Sequence, residues 1–165
     1  MILWVVGVIF ALFALVVLRG APYVPTHRPA VQVALDMLGL PKGSTIIDLG
    51  SGDGVVLKAA AERGYRAVGY ELNPILCLVS YLRCWHYRDL VTIRWSDFWL
   101  TPLPKDTDAV FVFLSGPYLR RLHNKLTREH SRGLKVVSYG FYIPHAGKPV
   151  KSERAVHLYE YGAKK

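Results

Sequence analysis

The sequence contains few of the residues that build covalent or metal-held frameworks. Of its 165 residues only two are cysteines, Cys77 and Cys84. On a predicted helix their positions are separated by roughly 10 Å along the axis, which is beyond disulfide reach. Two thiolates also fall short of the four ligands of a structural zinc site. The sequence therefore predicts two reduced cysteines in a reducing compartment.

Signals for several catalytic chemistries are also missing. The six histidines form no HxxxH or HExxH spacing, so no metal site is expected. No serine occupies a G-x-S-x-G elbow, which excludes a hydrolase nucleophile of that type. No Gly-Lys-Ser/Thr follows the glycine-rich segment, so a P-loop is excluded as well. The chain has neither an internal repeat nor a low-complexity tract.

Acidic residues are scarce relative to basic ones. The chain carries 21 Lys and Arg against 12 Asp and Glu, a formal net charge of +9. The stretch 120–165 is the most basic, with eleven Lys or Arg against three Glu. Such a surface suits anionic lipid headgroups, an acidic protein or a nucleic acid, and charge alone does not choose among them.

Charged side chains are absent from the run Met1–Leu18, which Arg19 ends. A helix of that length spans roughly 27 Å, close to the thickness of a bilayer's hydrocarbon core. A signal peptide fits poorly, because no Lys or Arg precedes the run. We therefore expect a transmembrane anchor over residues 1–19, with the domain 20–165 on the cytoplasmic side because the positive charges follow the anchor. In a bacterium this is the inner membrane, and in a eukaryote a mitochondrial membrane is the candidate.

Beyond the anchor, helical and strand periodicities alternate along the chain. Helices are predicted over 30–38, 55–63, 74–85 and 117–130, and strands over 45–49, 67–71, 91–95, 109–114 and 134–141. The segment 153–161 alternates again and is predicted to add an antiparallel edge strand. This order predicts an α/β, Rossmann-like domain, in which an open, mostly parallel sheet carries helices on both faces.

A glycine-rich turn, Asp48-Leu49-Gly50-Ser51-Gly52-Asp53-Gly54, joins the first strand to its helix. Ligands of open α/β sheets bind at this edge, and glycine lets them approach the backbone closely. A dinucleotide fingerprint is excluded because Val55 stands where its third glycine would be. Asp53 also places a carboxylate where a phosphate would sit. A cationic ligand, such as a sulfonium cofactor with an amino-acid tail, fits this turn.

Two more acids follow at the ends of the next strands. Glu71 ends the second strand, where its carboxylate is placed to accept both hydroxyls of a ribose. Asp97 follows the third strand, where it can accept from an adenine amino group while Phe98 offers the ring an apolar surface. Acidic positions at three consecutive strand ends, the first joined to the GxGxG turn, indicate S-adenosyl-L-methionine as the cofactor.

These motifs resemble those of the class I, seven-stranded S-adenosylmethionine-dependent methyltransferases. The resemblance is closest to a branch of small protein-lysine N-methyltransferases. That branch includes the enzymes for the ATP synthase c subunit and the adenine nucleotide translocase, and an archaeal broad-specificity enzyme. Its mitochondrial members also carry an N-terminal hydrophobic segment. The stretches that carry the resemblance are Pro22–Thr26, Ile47–Gly54, Ala67–Pro74, Ser96–Trp99 and Pro144–Tyr161.

The resemblance implies a protein-lysine N-methyltransferase and a set of cofactor contacts. The segment from Tyr23 to Thr26 would fold over the methionine end of the cofactor and help to form the lysine channel. The expected cofactor-binding residues are Val24, Pro25, Thr26, Asp48, Gly50, Ser51, Gly52, Asp53, Gly54, Glu71, Leu72, Asn73, Ser96, Asp97 and Phe98.

The acceptor side follows from the chemistry of the amine. A lysine with a pKa near 10.4 is protonated at neutral pH and has to lose a proton before it can attack. An apolar, aromatic channel lowers the pKa of that lysine by desolvation. Tyr23, Tyr118 and Tyr139, with Val24, are the candidates to form the channel. The hydroxyls of Thr26 and Ser115 are the candidates to accept a hydrogen bond from the amine.

Three other functions stay open at this point. A membrane anchor also suits a lipid or quinone methyltransferase. A nucleobase methyltransferase would carry Asn or Asp before Pro-Pro-Tyr, where this chain has Ser115-Gly116-Pro117-Tyr118, so a nucleic acid is disfavoured as a partner. A scaffold protein that binds the cofactor without catalysis is the third alternative. The expected partners are a protein substrate, with membrane proteins among the candidates, and the bilayer itself. The sequence leaves the oligomeric state open.

Overall fold

The computed structural model describes residues 4, 7, 24–129 and 133–162. Within 24–129 and 133–162 the helices are α1 (Arg28–Leu38), α2 (Val55–Glu62), α3 (Pro74–Arg83) and α4 (Gly116–Glu129), and a 3-10 turn, Trp85–Tyr87, follows α3. The strands are β1 (Thr45–Leu49), β2 (Arg66–Glu71), β3 (Val91–Trp95), β4 (Ala109–Val112), β5 (Leu134–Tyr139), β6 (Lys151–Glu153) and β7 (Val156–Tyr161).

All of these strands join one sheet, in the order β3-β2-β1-β4-β5-β7-β6. Strands β1 to β5 pair in parallel, and β7 is antiparallel to both β5 and β6. The strand order reverses between β1 and β4, and ligands of open α/β sheets bind at the strand ends beside such a reversal. The predicted α/β fold with a mostly parallel sheet is confirmed.

Helices cover the two faces of the sheet unequally. On one face, Ala67 and Phe111 belong to the core packed under α1 and α2, and α3 lies beside α2. On the other face, Val110 packs with Leu122 of α4. The loop between β3 and β4 contains no helix, and its buried Leu103 closes part of that second core. The predicted arrangement of helices on both faces is confirmed, with a loop in place of one helix.

The C-terminal strand prediction is wrong in one respect. Residues 153–161 do not form a single edge strand, because β6 and β7 make a hairpin and β7 lies inside the sheet, between β5 and β6. The turn residues Arg154 and Ala155 have φ of 47° and 62°. Positive φ at both central positions defines a type I′ turn, which normally carries Asn or Gly. Arg154 and Ala155 stand at these positions instead. The alternating pattern therefore continued across the turn, and the sequence contained no sign of where one strand ends and the next begins.

The predicted element boundaries shift by one to three residues. Helix α1 begins earlier than expected, at Arg28, and Pro29 fits its first turn because no amide hydrogen bond is needed there. Helix α3 ends at Arg83 and the chain continues as the 3-10 turn. Strands β4 and β5 each end two residues before their predicted limits.

The predicted anchor over residues 1–19 lies outside the described residues, apart from Trp4 and Gly7. In the part of the chain that the structure describes, no helix has both the length and the apolar character needed to cross a membrane.

Candidate active site

Backbone hydrogen bonds attach the glycine turn to strand β2. The amides of Gly50 and Ser51 both donate to the carbonyl of Tyr70, at 2.9 and 3.0 Å. Gly50, Gly52 and Gly54 have φ of 84°, 52° and 80°. Glycine adopts these left-handed conformations without the steric penalty of a Cβ. The turn therefore requires its glycines, as the sequence indicated.

The carboxylate of Glu71 joins this turn to the loop after β2. Its Oε2 accepts from the amide of Gly52 at 2.8 Å, and its Oε1 accepts from the amides of Leu72 and Asn73 at 2.8 and 2.7 Å. A carboxylate has about four acceptor positions, so the backbone fills three of them. The remaining position lies on Oε2, so Glu71 has room for one ribose hydroxyl and not, as the sequence led us to expect, for both.

Asp97 stands in the turn after β3, next to Glu71. The amide of Ser96 donates to the carbonyl of Glu71 at 3.0 Å. The Oδ1 of Asp97 accepts from the amide of Trp99 at 2.8 Å, and its carbonyl accepts from the hydroxyl of Thr101 at 2.9 Å. The structure thus brings together the turns that follow β1, β2 and β3, with Asp97 organising the third.

Asp48, at the end of β1, is only 3% exposed. Burial in the sheet raises the pKa of its carboxyl well above the usual value, and the negative charges of Glu71 and Asp53 raise it further. An ionised carboxylate in such a place is unfavourable unless a positive charge compensates it. A cationic ligand beside Asp48 would provide that compensation.

Asp53 forms an ion pair with α3. Its Oδ2 lies 2.8 Å from Nη2 of Arg83, and its Oδ1 accepts from the amide of Val55 at 3.4 Å. The pair ties the glycine turn to the C-terminal end of α3. Arg83 offsets the negative charge of Asp53. Contact between Asp53 and the cofactor stays a prediction.

The residues around these turns fit a nucleoside with a cationic tail. A Cβ built on Gly50 would meet no atom within 4 Å, so the turn leaves room for a ligand beside the backbone. Among the described residues, the buried polar atoms Ser51 Oγ, Asn73 Nδ2 and Ser96 Oγ have no hydrogen-bond partner. Buried polar atoms normally have one, so these three are available to a ligand or to water.

Aromatic rings connect the Asp97 turn to α4. The ring centroids of Phe98 and Trp99 lie 4.5 Å apart, and those of Trp99 and Tyr118 lie 6.4 Å apart at an angle of 24°. The guanidinium of Arg121 lies 4.4 Å from the centroid of the Trp99 ring. From the sequence, Tyr118 was placed in the site but Arg121 was missed. Because Arg121 follows Tyr118 by three residues on the same helix, it could have been predicted to lie on the same helix face.

The other predicted acceptor residues occupy separate places. Ser115 is exposed and precedes α4, where its carbonyl accepts from the first amides of that helix. Tyr139 ends β5, and its ring centroid lies 4.7 Å from that of Phe113. Val24 and Pro25 are exposed and Thr26 is half-buried in the segment that leads into α1, whereas Tyr23 lies outside the described residues. Their roles toward an acceptor stay predictions.

Residues 48–151 match the family model of the ANTKMT methyltransferase domain, which covers this glycine turn and all three acidic strand ends. The chain belongs to the ANTKMT methyltransferase family. The resemblance to class I methyltransferases is thereby confirmed.

Two named relatives of this ANTKMT-family chain are lysine methyltransferases. The human lysine N-methyltransferase of the ATP synthase c subunit is 34% identical over 126 residues, which cover 75% of this chain and 53% of that protein. The mouse adenine nucleotide translocase lysine N-methyltransferase is 37% identical, with coverage of 74% and 54%. The chain spans about half the length of the curated relatives that it matches.

A solved structure shares the fold over most of its length. An RNA methyltransferase from Salinibacter ruber, in complex with S-adenosyl-L-homocysteine, superimposes with a TM-score of 0.75 at 27% identity. The match covers 84% of this chain and 92% of that one. A Geobacter sulfurreducens methyltransferase, with the same ligand, has a TM-score of 0.62 at 19% identity, which shows the common fold.

The cysteines of this ANTKMT-family domain pack against the turns of the site. Cys84 Sγ lies 3.8 Å from the carbonyl of Gly54, and Cys77 Sγ lies 3.6 Å from the carbonyl of Glu71, so each thiol donates a weak hydrogen bond to one of the site's turns. Burial is the main cause that raises the pKa of both thiols to about 11. Both cysteines are free, as predicted.

Gly54 is predicted to be the least replaceable residue of the turn. A Cβ at this position would come within 3.0 Å of Ser80 Cβ on α3, and φ is +80°. We expect Gly54→Ala to destabilise the domain by about 3 kcal/mol through overpacking and left-handed strain. The matched control is Gly43→Ala, with φ of +85° and no atom within 4 Å of the new Cβ. Urea unfolding should show a loss of only about 1 kcal/mol for this control, and equal losses would contradict close packing at Gly54.

Lys125 is predicted to hold the loop that carries the Asp97 turn. Its buried Nζ lies 2.7 Å from Glu129 Oε1 and donates to the carbonyl of Thr101 at 2.9 Å, while Glu129 Oε2 accepts from the amide of Leu103 at 3.2 Å. We expect Lys125→Met to cost about 1–3 kcal/mol, because it leaves these acceptors unpaired.

The control for this variant is Lys58→Met. It removes an ion pair of the same i,i+4 spacing, Lys58–Glu62 at 3.6 Å, in which both side chains are exposed. Thermal unfolding should show a cost of at most about 0.5 kcal/mol for the control. A loss for Lys125→Met no greater than that would show that the buried pair does not hold the loop.

Proposed function

We propose that this chain is an S-adenosyl-L-methionine-dependent methyltransferase that modifies lysine side chains of a protein. The observation that carries the proposal is the joined arrangement of the glycine turn, Glu71 and Asp97, in a chain whose relatives are named lysine N-methyltransferases. The proposal has two parts, the use of S-adenosyl-L-methionine as cofactor and of lysine as acceptor. These two parts rest on different residues.

The cofactor side uses groups that the fold already positions. When bound, S-adenosyl-L-methionine supplies an electrophilic methyl group on a positively charged sulfur. The free acceptor position on Glu71 Oε2 would take a ribose hydroxyl, and Asp97 would accept from the adenine amino group. The buried Asp48 favours a positive charge on the ligand. These contributions bind and orient the ligand, which provides much of the rate enhancement of a displacement reaction.

The acceptor side has to keep the lysine nitrogen neutral. An amine among aromatic rings is desolvated, which lowers its pKa. The stacked rings of Trp99 and Tyr118 provide such a surface, and the guanidinium of Arg121 over Trp99 disfavours a second positive charge nearby. The hydroxyl of Ser115 or Thr26 would accept a hydrogen bond from the amine, and Tyr23 and Tyr139 would complete the channel.

We also propose that the protein is held at a membrane by residues 1–19, with the domain 20–165 on the cytoplasmic side. The support is the uncharged run Met1–Leu18 and the basic residues that follow it. In that position the enzyme would meet membrane proteins as substrates. In a bacterium the membrane would be the inner membrane, and in a eukaryote a mitochondrial one.

The proposal is tested by incubating membranes with the full chain and methyl-labelled S-adenosyl-L-methionine, and then identifying the labelled species. We expect label on lysine side chains of a protein, lost with Tyr23→Ala but with cofactor binding retained. Unchanged transfer by Tyr23→Ala would remove the proposed role of that residue. Label in the lipid or quinone fraction would show that the substrate is a lipid or quinone and not a protein. Failure of the chain to bind the cofactor in calorimetry would favour a scaffold.

A second candidate function is methylation of RNA. The 27% identity to the Salinibacter ruber RNA methyltransferase over most of both chains favours it, and the net charge of +9 is compatible with it. Against it, the stretch from Ser115 to Tyr118 lacks an Asn or Asp to hold a nucleobase amine. Adding total RNA to the same labelling reaction separates the candidates, because label would then appear in nucleotides.

A further inference from the structure

Helix α3 presents an apolar and aromatic face to solvent. Leu78, Tyr81, Leu82 and Trp85 are 58%, 47%, 63% and 46% exposed. Their spacing of three, four and seven residues places them on one stripe of α3 and the turn that follows it. Trp95, at the end of β3, is 69% exposed and lies near the start of α3, since its Nε1 donates to the carbonyl of Leu72 at 2.9 Å. We call these five side chains the α3 face.

The α3 face has the composition of a membrane-interface contact. Trp and Tyr combine an apolar ring with a polar group, and they concentrate where hydrocarbon meets headgroups. Tyr81 packs edge-on against Trp85 at 5.3 Å, and the guanidinium of Arg88 lies 5.6 Å from the Trp85 ring. We propose that the α3 face lies in the interfacial zone of a bilayer that contains anionic lipid.

Basic residues lie beside this face, which suits anionic headgroups. In a groove of about 150 Å³ next to the end of α3, Lys58 pairs with Glu62 and Arg83 pairs with Asp53. Arg28 is the lining base that forms no ion pair with a described residue. Arg88, whose guanidinium lies over the Trp85 ring, is exposed as well. Each basic residue near an anionic membrane surface contributes about 1 kcal/mol to binding.

The same groove shows where the N-terminal segment joins the domain. Arg28 begins α1 and shares the groove with Arg83, the last residue of α3. The uncharged run ends at Leu18, and the six Cα steps to Val24 reach at most roughly 20 Å. If residues 1–19 anchor the chain, as proposed above, the α3 face is on the part of the domain nearest the bilayer.

Single-tryptophan variants of the full chain test this contact in nanodiscs that hold one chain and contain phosphatidylglycerol. One variant keeps only Trp85, a second keeps only Trp99, which packs against Phe98 and Tyr118, and a third keeps only Trp4; the other tryptophans become Phe. Fluorescence is compared between ordinary lipid and lipid brominated near the headgroup. We expect brominated lipid to lower the Trp85 emission about twofold and to leave the Trp99 emission unchanged.

A second variant keeps the test independent of the tryptophan substitutions. Leu78→Ser with Leu82→Ser changes two exposed positions, so we expect an unchanged Tm and a loss of most of the Trp85 quenching. Trp85 emission that bromine does not lower overturns the proposal. Cross-linking of two chains through α3, measured in vesicles that hold many copies, also overturns it, since a second copy would then cover the face. Quenching of Trp85 without quenching of Trp4 would contradict the proposed anchor but support the membrane contact of the α3 face. Methyl transfer is measured separately, so none of these outcomes is confused with failure of the proposed reaction.

Discussion

Replacement of Glu71 by Gln is expected to weaken S-adenosyl-L-methionine binding more than any other single change in the site. The carboxylate accepts from three backbone amides, of Gly52, Leu72 and Asn73. A glutamine has one oxygen, so its amide nitrogen would face at least one of these N–H groups donor to donor. The turns after β1 and β2 would separate, and the acceptor for the ribose would be lost. We expect a cost of about 2–4 kcal/mol in binding.

Isothermal calorimetry with S-adenosyl-L-methionine measures this loss directly. Glu62→Gln is the matched control, because it removes the same charge from an exposed position on α2. The control should bind the cofactor with wild-type affinity. An affinity of Glu71→Gln within a factor of about three of the wild type would contradict the role given to Glu71, since a lost charge-assisted bond costs more than that. Circular dichroism on the same samples shows whether the variant is folded.

Asp48→Asn is expected to stabilise the ligand-free domain and to weaken cofactor binding. Burial and two nearby negative charges raise the pKa of Asp48 in the folded state above its unfolded value near 4. The folded state therefore holds this proton more tightly than the unfolded chain does. As pH rises from the unfolded pKa through the raised folded pKa, the wild type loses stability. Asparagine does not ionise, so the variant should lack this slope and have the higher Tm at neutral pH.

Thermal unfolding between pH 4 and 8, together with calorimetry, checks both halves of this prediction. The Tm of the wild type should fall relative to that of Asp48→Asn as pH rises. The affinity of the variant for the cationic cofactor should be lower, because asparagine cannot supply the negative charge that a bound cation would stabilise on Asp48. Asp89→Asn, at an exposed position, serves as the control and should change neither quantity. A variant less stable than the wild type at pH 7 would show that Asp48 is already compensated in the ligand-free protein.

Residues that act through their immediate neighbours were predictable. The glycine turn follows from the positive φ that Gly50, Gly52 and Gly54 adopt, and Glu71 and Asp97 were placed because parallel strands end at one edge of a sheet. The hairpin between β6 and β7 was missed because its turn lacks the glycine or asparagine that would have marked it. Arg154 and Ala155 adopt left-handed conformations without the residues that usually mark them.

The sequence by itself thus determined the order of elements, the parallel sheet, the glycine turn and its acidic partners, because each depends on periodicity or on contacts near in the chain. Only the tertiary structure decided that Arg83 neutralises Asp53, that Arg121 lies over Trp99, and that the backbone fills most of the Glu71 carboxylate. It also decided which side chains of α3 are exposed within the described part of the chain. These features depend on strand order and on side chains brought together from distant positions, and local patterns do not record either.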